Sequence, residues 1–131
     1  MTSKERILEA ARLEESREVP VAPYMGNHCA RISGIPLKDY YTKPEKIVEA
    51  QLRAWEVYHQ DALIAQSDNY YMAEAFGAEI DYHPDSIPTM KKLAVEKLSD
   101  IAPMRPAKPE SEGRMPVYLE AIRLLHREVG D

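Results

Sequence analysis

Asp61-Ala62-Leu63-Ile64-Ala65-Gln66-Ser67-Asp68-Asn69-Tyr70-Tyr71-Met72-Ala73-Glu74-Ala75-Phe76-Gly77-Ala78-Glu79-Ile80 is the stretch whose reading decides the fold. Residues 61–66 form a short apolar run bounded by polar residues, the pattern of a buried strand. A short helix is expected around Tyr71–Phe76, with Gly77 placed to end it. Strand, loop and helix in that order make a βα unit. In such units chemistry gathers at the strand's C-terminal end, where the strand is rigid and the loop above it is open. Asp68 stands at that position.

On the N-terminal side, Val19-Pro20-Val21-Ala22-Pro23-Tyr24-Met25 reads as an earlier strand. Its two prolines each remove a backbone donor, which places its start at an edge or makes it irregular. Gly26 to Pro36 is expected to be a loop, and Pro36, Leu37, Tyr40 and Tyr41 a short helical turn. Thr42-Lys43-Pro44-Glu45 has the form of a capping box with proline in the first turn. It opens a helix from Pro44 to about Tyr58, with Ile47, Val48, Leu52 and Trp55 as its apolar face. Strands 19–25 and 61–67 thereby become parallel neighbours joined by a right-handed crossover.

The remaining elements follow the same rules. Thr2 or Ser3 caps a first helix that carries Ile7, Leu8 and Ala11 on one side, and Glu14 to Glu18 form a polar connector. Residues 78–83 alternate as a strand, Pro84-Asp85-Ser86 turn, and Ile87 to Leu93 return antiparallel. Val95 to Ile101 reads as a short helix and 103–113 as irregular chain. The last helix runs from about Met115 to Val129, with Val117, Tyr118, Ala121, Ile122, Leu124 and Leu125 facing the core and Gly130 ending it. The fold class is α/β: about two parallel βα units, a β-hairpin and an N-terminal helix, in a single domain spanning 1–131.

Composition narrows the functions. The net charge of −5, with no cluster of Lys or Arg, argues against a nucleic-acid partner. No apolar run approaches the ~20 residues of a membrane span. The one cysteine, Cys29, excludes an internal disulfide. A cytoplasmic protein is expected.

Three groups of residues can carry chemistry. Asp68 can cap the 71–76 helix, the role its position favours, and a carboxylate at a strand end can also hold or deliver a proton. The loop Gly26-Asn27-His28-Cys29-Ala30-Arg31 lies at the same end of the expected sheet, and Arg31 suits a carboxylate or phosphate. Adjacent His28 and Cys29 are a poor chelating pair, His59, His83 and His126 are scattered, and no Cys-x-x-Cys occurs, so no metal site is expected from this chain alone. Tyr24, Tyr40, Tyr41, Tyr70 and Tyr71 suit a planar ligand or, equally, packing at helix ends.

Four blocks in order, Ser3-Lys4-Glu5-Arg6-Ile7-Leu8, Arg17-Glu18-Val19-Pro20-Val21, Pro44-Glu45-Lys46 and Ser67-Asp68 through Glu79, resemble the uroporphyrinogen decarboxylase superfamily, which includes cobamide-dependent methyltransferases. The resemblance implies a (β/α)8 barrel with its site at the C-terminal strand ends. It implies a catalytic role for Asp68, the position that in decarboxylases contacts the pyrrole nitrogens. Gly26, Asn27, His28, Arg31 and Tyr70 become the substrate- or cofactor-binding residues. Decarboxylases carry Arg-Gln-Ala-Gly-Arg after the first-strand methionine; here Gly26 replaces the first arginine and Arg31 is displaced by one position. That departure makes the chain more similar to the branch that moves a methyl group from a corrinoid to a thiol such as coenzyme M. Corrinoid and zinc are implied for a full-length parent, the zinc ligands lying in later strands.

A whole barrel takes roughly 250 residues, so the chain is expected to be an N-terminal part that is incomplete for catalysis alone. The expected partners are a tetrapyrrole or corrinoid, a corrinoid protein, another copy, or the rest of the barrel. The alternatives are a porphyrinogen decarboxylase of tetrapyrrole biosynthesis and a non-catalytic oligomerisation or docking module.

Overall fold

The computed structural model describes residues 1–14 and 18–130. Arg17 of the second resembling block, with Glu15 and Ser16 of the polar connector, lies outside the described residues. In chain order the elements are α1 (Ser3–Ala11), α2 (Gly26–Ile32), α3 (Leu37–Thr42), α4 (Pro44–Tyr58), α5 (Tyr71–Ala75), β1 (Glu79–Asp81), β2 (Thr89–Lys92), a 3-10 turn (Leu98–Asp100) and α6 (Met115–Val129). α4 packs against α2, α3 and α6, and the core lies between these four helices. Tyr40, Tyr41, Ile47, Ala50, Ala54, Tyr118 and Ala121 are buried there.

The helices form where sequence and burial agree. Thr2 caps α1 in a reciprocal capping box with Glu5. Pro44 occupies the first turn of α4, where its missing N–H costs nothing. α4 and α6 have the predicted bounds, and their buried faces include Ile47, Val48, Tyr118, Ala121 and Leu125. Trp55 and Ile122, expected in the core, are instead 43% and 54% exposed. Small Ala50 and Ala54 line the buried side of α4 and let its neighbours approach closely.

Several expectations need correction. Residues 26–32 are helical, not loop. Gly26 looked like a loop residue but starts α2 because its backbone lies against Gln66: its N–H donates to Gln66 Oε1 at 2.5 Å, and a Cβ would sit 2.6 Å from Gln66 Cδ. The true stop is Gly34, at φ +68. Its N–H bonds to Arg31 O and the next amide, of Ile35, to Ala30 O, which makes a Schellman motif closed by buried Ile35. The capping box expected at 42–45 is absent, because the Thr42 hydroxyl donates to Lys38 O inside α3. The helix expected at 95–101 is reduced to the 3-10 turn.

The two expected strands require the largest revision. Among the described residues the one sheet is the antiparallel pair β1–β2, with a register irregularity between Glu79 and Ile80. Segments 19–25 and 61–67 form no ladder. They still meet at two places: Asp61 N–H donates to Val21 O at 2.7 Å, and Gly26 N–H reaches Gln66. The contacts advance in the same sense along both segments, so the two run side by side in one direction without pairing as strands. The Asp61 carboxylate fastens this arrangement by accepting from Val21 N–H at 2.8 Å and from Arg6 Nη2 at 2.6 Å. These bonds, Val21 first and then Arg6, bring its pKa down to about 2. No helix among the described residues is long and apolar enough to cross a membrane.

Candidate functional site

α2 carries Asn27, His28 and Arg31 along one open cavity of about 560 Å³. Ile35 and Leu37 form its apolar side, and the hairpin turn 84–87, with Asp85 and Ser86, closes the opposite wall. The turn is anchored to the start of α3 by Leu37 N–H donating to Pro84 O at 2.7 Å. The volume falls in the range of small-molecule sites, and the mixture of apolar wall and a few converging polar groups is what orients a ligand. His28 is held by its Nε2 at 2.7 Å from Tyr58 OH, with their rings in tilted contact at 5.6 Å.

Behind the cavity wall lies a buried ionic cluster that sequence reading reached only in part. Asp68, at 4% side-chain exposure, is paired with Arg114 at 7%. Arg114 Nη1 and Nη2 both donate to the Asp68 carboxylate, the second at 3.1 Å, and Arg114 Nε donates to Glu74 at 2.6 Å. The guanidinium also lies 4.9 Å from the centre of the Tyr82 ring. Burial works against its charge, but Asp68, Tyr118 and Glu74 outweigh it and raise the Arg114 pKa. Asp68 Oδ1 further accepts from Tyr70 N–H at 2.7 Å, a local turn bond at the entrance of α5. Tyr82 OH donates to Glu74 at 2.6 Å, and burial followed by that carboxylate pushes its pKa up.

The cluster and the cavity are joined through Tyr41. Its carbonyl accepts from Arg114 Nη1 at 3.2 Å and Tyr118 OH at 3.4 Å, while its hydroxyl donates to Asn27 Oδ1. Burial, and then the nearby Asp68 charge, pushes the Tyr41 hydroxyl up to about 12, so it remains a donor at neutral pH.

Of the predicted residues, the structure therefore groups Asn27, His28 and Arg31 on one wall and places Asp68 behind it. Gly26 is buried against Gln66, and Tyr70 meets the cluster through its backbone. The tyrosines divide: Tyr40 and Tyr41 are buried in mutual edge contact at 5.2 Å, Tyr71 packs edgewise on Tyr118 at 5.0 Å, and Tyr24 is 69% exposed. Arg114 was not anticipated. It sits one residue past the irregular 103–113 segment, and the only local signal was Gly113, which turns at φ +56 with its α-carbon face pressed on the Ala75 backbone.

For a metal, the donor set does not fit. Among the described residues no three His, Cys, Asp or Glu side chains converge. Burial raises the Cys29 thiol pKa, which disfavours the thiolate a metal requires. A second cavity of about 570 Å³ lies between α1, the end of α6 and residues 60–65, and shares no residue with this site.

Comparison with known proteins adds the family context. The family model described as Uroporphyrinogen decarboxylase (URO-D) matches residues 2–131. A protein named uroporphyrinogen decarboxylase from Thermobifida fusca (strain YX) is 32% identical over 97 residues, 74% of this chain and 26% of that protein. Its namesake from Streptomyces avermitilis is 31% identical over 98 residues, 75% of this chain and 26% of its own. A methyltransferase from Methanosarcina mazei has a structure that superimposes with a TM-score of 0.84 at 26% identity, covering 100% of this chain and 40% of that one. The chain thus spans about a quarter of the length of these curated relatives and two fifths of the solved one.

Proposed function

The chain belongs to the uroporphyrinogen decarboxylase family, and on that footing we propose that it forms part of the ligand pocket of a corrinoid-dependent methyltransferase-type member, moving a methyl group to a thiol. Asn27, His28 and Arg31 would bind and orient the periphery of the corrinoid, and catalysis would need chain beyond this segment.

The observation that carries the reading is the engagement of Asp68. Both of its carboxylate oxygens are taken by Arg114, and its side chain is 4% exposed. A carboxylate so committed does not offer itself to the pyrrole N–H groups of a porphyrinogen, whereas it can serve as a fixed anion that organises the wall in front of it. Gly26 supports the same branch. It stands where decarboxylases place an arginine, and Gln66 fills the space into which a side chain would grow. The whole-chain likeness to a methyltransferase agrees with both.

A corrinoid, when bound, supplies the methyl-carrying chemistry. This chain's residues supply polar groups at the rim (Asn27, Arg31 and His28) and an apolar side at Ile35 and Leu37. Among the described residues zinc has no fitting ligand set, and no step of the proposal runs through it.

The names of the two bacterial relatives favour a second reading, porphyrinogen decarboxylation. Absorbance titrations of this chain with hydroxocobalamin and with uroporphyrin separate the two. Saturable corrinoid binding that weakens in Arg31→Ala supports the methyltransferase-type pocket. Tighter uroporphyrin binding favours the decarboxylase, and binding of neither refutes the pocket.

A further inference from the structure

We propose that Arg114 is a positioning residue that acts through Tyr41 to orient the Asn27 carboxamide, so that the cavity wall presents amide N–H donors and selects a ligand bearing acceptor oxygens. The inference deepens the functional reading above and rests on it for the identity of the ligand. The orientation itself rests only on the geometry.

The chain of contacts runs in one direction. Arg114 is fixed from two sides by carboxylates, Asp68 and Glu74, and this pins its Nη1 on the Tyr41 carbonyl at 3.2 Å. The single hydrogen of Tyr118 OH is shared between that carbonyl at 3.4 Å and Asp68 Oδ2 at 3.5 Å. The Arg114 bond thus holds the C-terminal part of α3, from which the Tyr41 ring crosses the core in edge contact with Tyr40. The ring's hydroxyl then donates to Asn27 Oδ1.

An asparagine has one acceptor oxygen and two N–H donors. With Oδ1 committed to Tyr41, what Asn27 can offer the cavity is its amide nitrogen. Arg31, on the same wall, can only donate. The wall is therefore a donor surface, matched to carboxylate or amide-carbonyl oxygens at the edge of a ligand. The two sources share that chemistry: porphyrins carry carboxylates and corrinoids carry amides.

Free rotation of Asn27 would erase this selectivity, since a flipped amide presents an acceptor. A tyrosine hydroxyl can accept as well as donate, so what removes the choice is that, among the described residues, Asn27 Oδ1 is the one acceptor met by the buried Tyr41 hydrogen, and Arg114 is what fixes Tyr41. Asp68 enters the same arrangement as the anion that holds Arg114.

The test reads the Asn27 side-chain NH2 pair by 15N–1H NMR in the 131-residue protein, with Tyr41→Phe, Arg114→Lys and Arg114→Gln. The expected result is a well-dispersed NH2 pair in the unaltered protein that moves toward free-amide shifts in Tyr41→Phe and in both Arg114 variants. A purely stabilising Arg114 would lower the melting temperature and leave these resonances in place, and that outcome overturns the proposal. If the Arg114 variants do not fold, the melting-independent link is read from the Tyr41 backbone carbonyl shift in Tyr118→Phe. Loss of the Tyr118 hydroxyl beside that carbonyl should shift Tyr41 and Asn27 together, and movement of Tyr41 alone contradicts the proposal.

The ligand arm uses hydroxocobalamin and uroporphyrin as probes. Tyr41→Phe should weaken whichever binds by about five- to tenfold, the worth of one oriented hydrogen bond. Unchanged affinity overturns the inference. If neither probe binds the unaltered protein, the functional reading fails, while the Asn27 resonances still decide the orientation.

Discussion

Replacing Arg114 by leucine should be strongly destabilising. The substitution removes two bonds to Asp68, one to Glu74, and the remaining Nη1 hydrogen's contact shared between the Tyr41 carbonyl and Tyr118 OH. The Asp68 carboxylate is left at 4% exposure with no countercharge. Breaking a buried pair on one side costs about 3–5 kcal/mol, mostly the penalty of the stranded charge. Glu74 adds less, because at 24% exposure it regains water and keeps its bond from Tyr82. Domains of this size have about 5–15 kcal/mol in total, so Arg114→Leu should remove a large share of the protein's stability.

Asp68→Leu should cost less, since Arg114 keeps Glu74 as a partner. The double variant strands neither member of the pair, and apolar replacement of a buried pair is often close to neutral. Urea denaturation of the four proteins, analysed for both midpoint and slope, should therefore show a coupling of about 2 kcal/mol or more between the two positions. Additive losses would show that the pair does not act as a unit, and the reasoning about the cluster would fail.

Other consequences can be checked on the same material. The depressed Asp61 pKa means that its contribution to stability is complete above the ordinary aspartate value of 3.8 and is lost as pH falls through about 2; acid titration of Asp61→Asn should lack that component. Tyr41 titrates in the opposite sense. With its pKa raised from 10.0 to about 12, its contribution holds below pH 10 and is lost as pH rises through 12, which tyrosinate absorbance in Tyr41→Phe against the unaltered protein should reveal. Gly26→Ala should destabilise by about 1–3 kcal/mol, the usual cost of overpacking, and Gln66→Ala should relieve part of it, because the new Cβ would meet the Gln66 side chain at 2.6–2.9 Å. Gly113→Ala should be harder to relieve, since its Cβ would lie 2.7 Å from Ala75 N at a positive φ; thermal melting measures both.

How much of this was legible in the sequence depends on the range of the forces involved. α4 and α6 were readable with approximate ends because proline, apolar spacing and a terminal glycine are local signals. The β1–β2 hairpin was readable from alternation around Pro84-Asp85-Ser86. α2 was hidden because Gly26 answers to a long-range neighbour, Gln66, which no local rule detects. Segments 19–25 and 61–67 have the apolar character of strands, yet pairing depends on partners across space, and two contacts do not make a ladder. At the site, Asn27, His28 and Arg31 could be grouped because they share a few residues of chain. Arg114 lies 46 residues from Asp68, and the neighbouring Gly113 marks a turn but not the partner of a buried carboxylate.

Chemical-shift mapping with hydroxocobalamin tests the central claim most directly. The account predicts saturable shifts concentrated at Asn27, His28, Arg31 and the 84–87 turn, with smaller ones relayed to Tyr41. Shifts centred on the cavity between α1 and α6, or none at any corrinoid concentration, would contradict it.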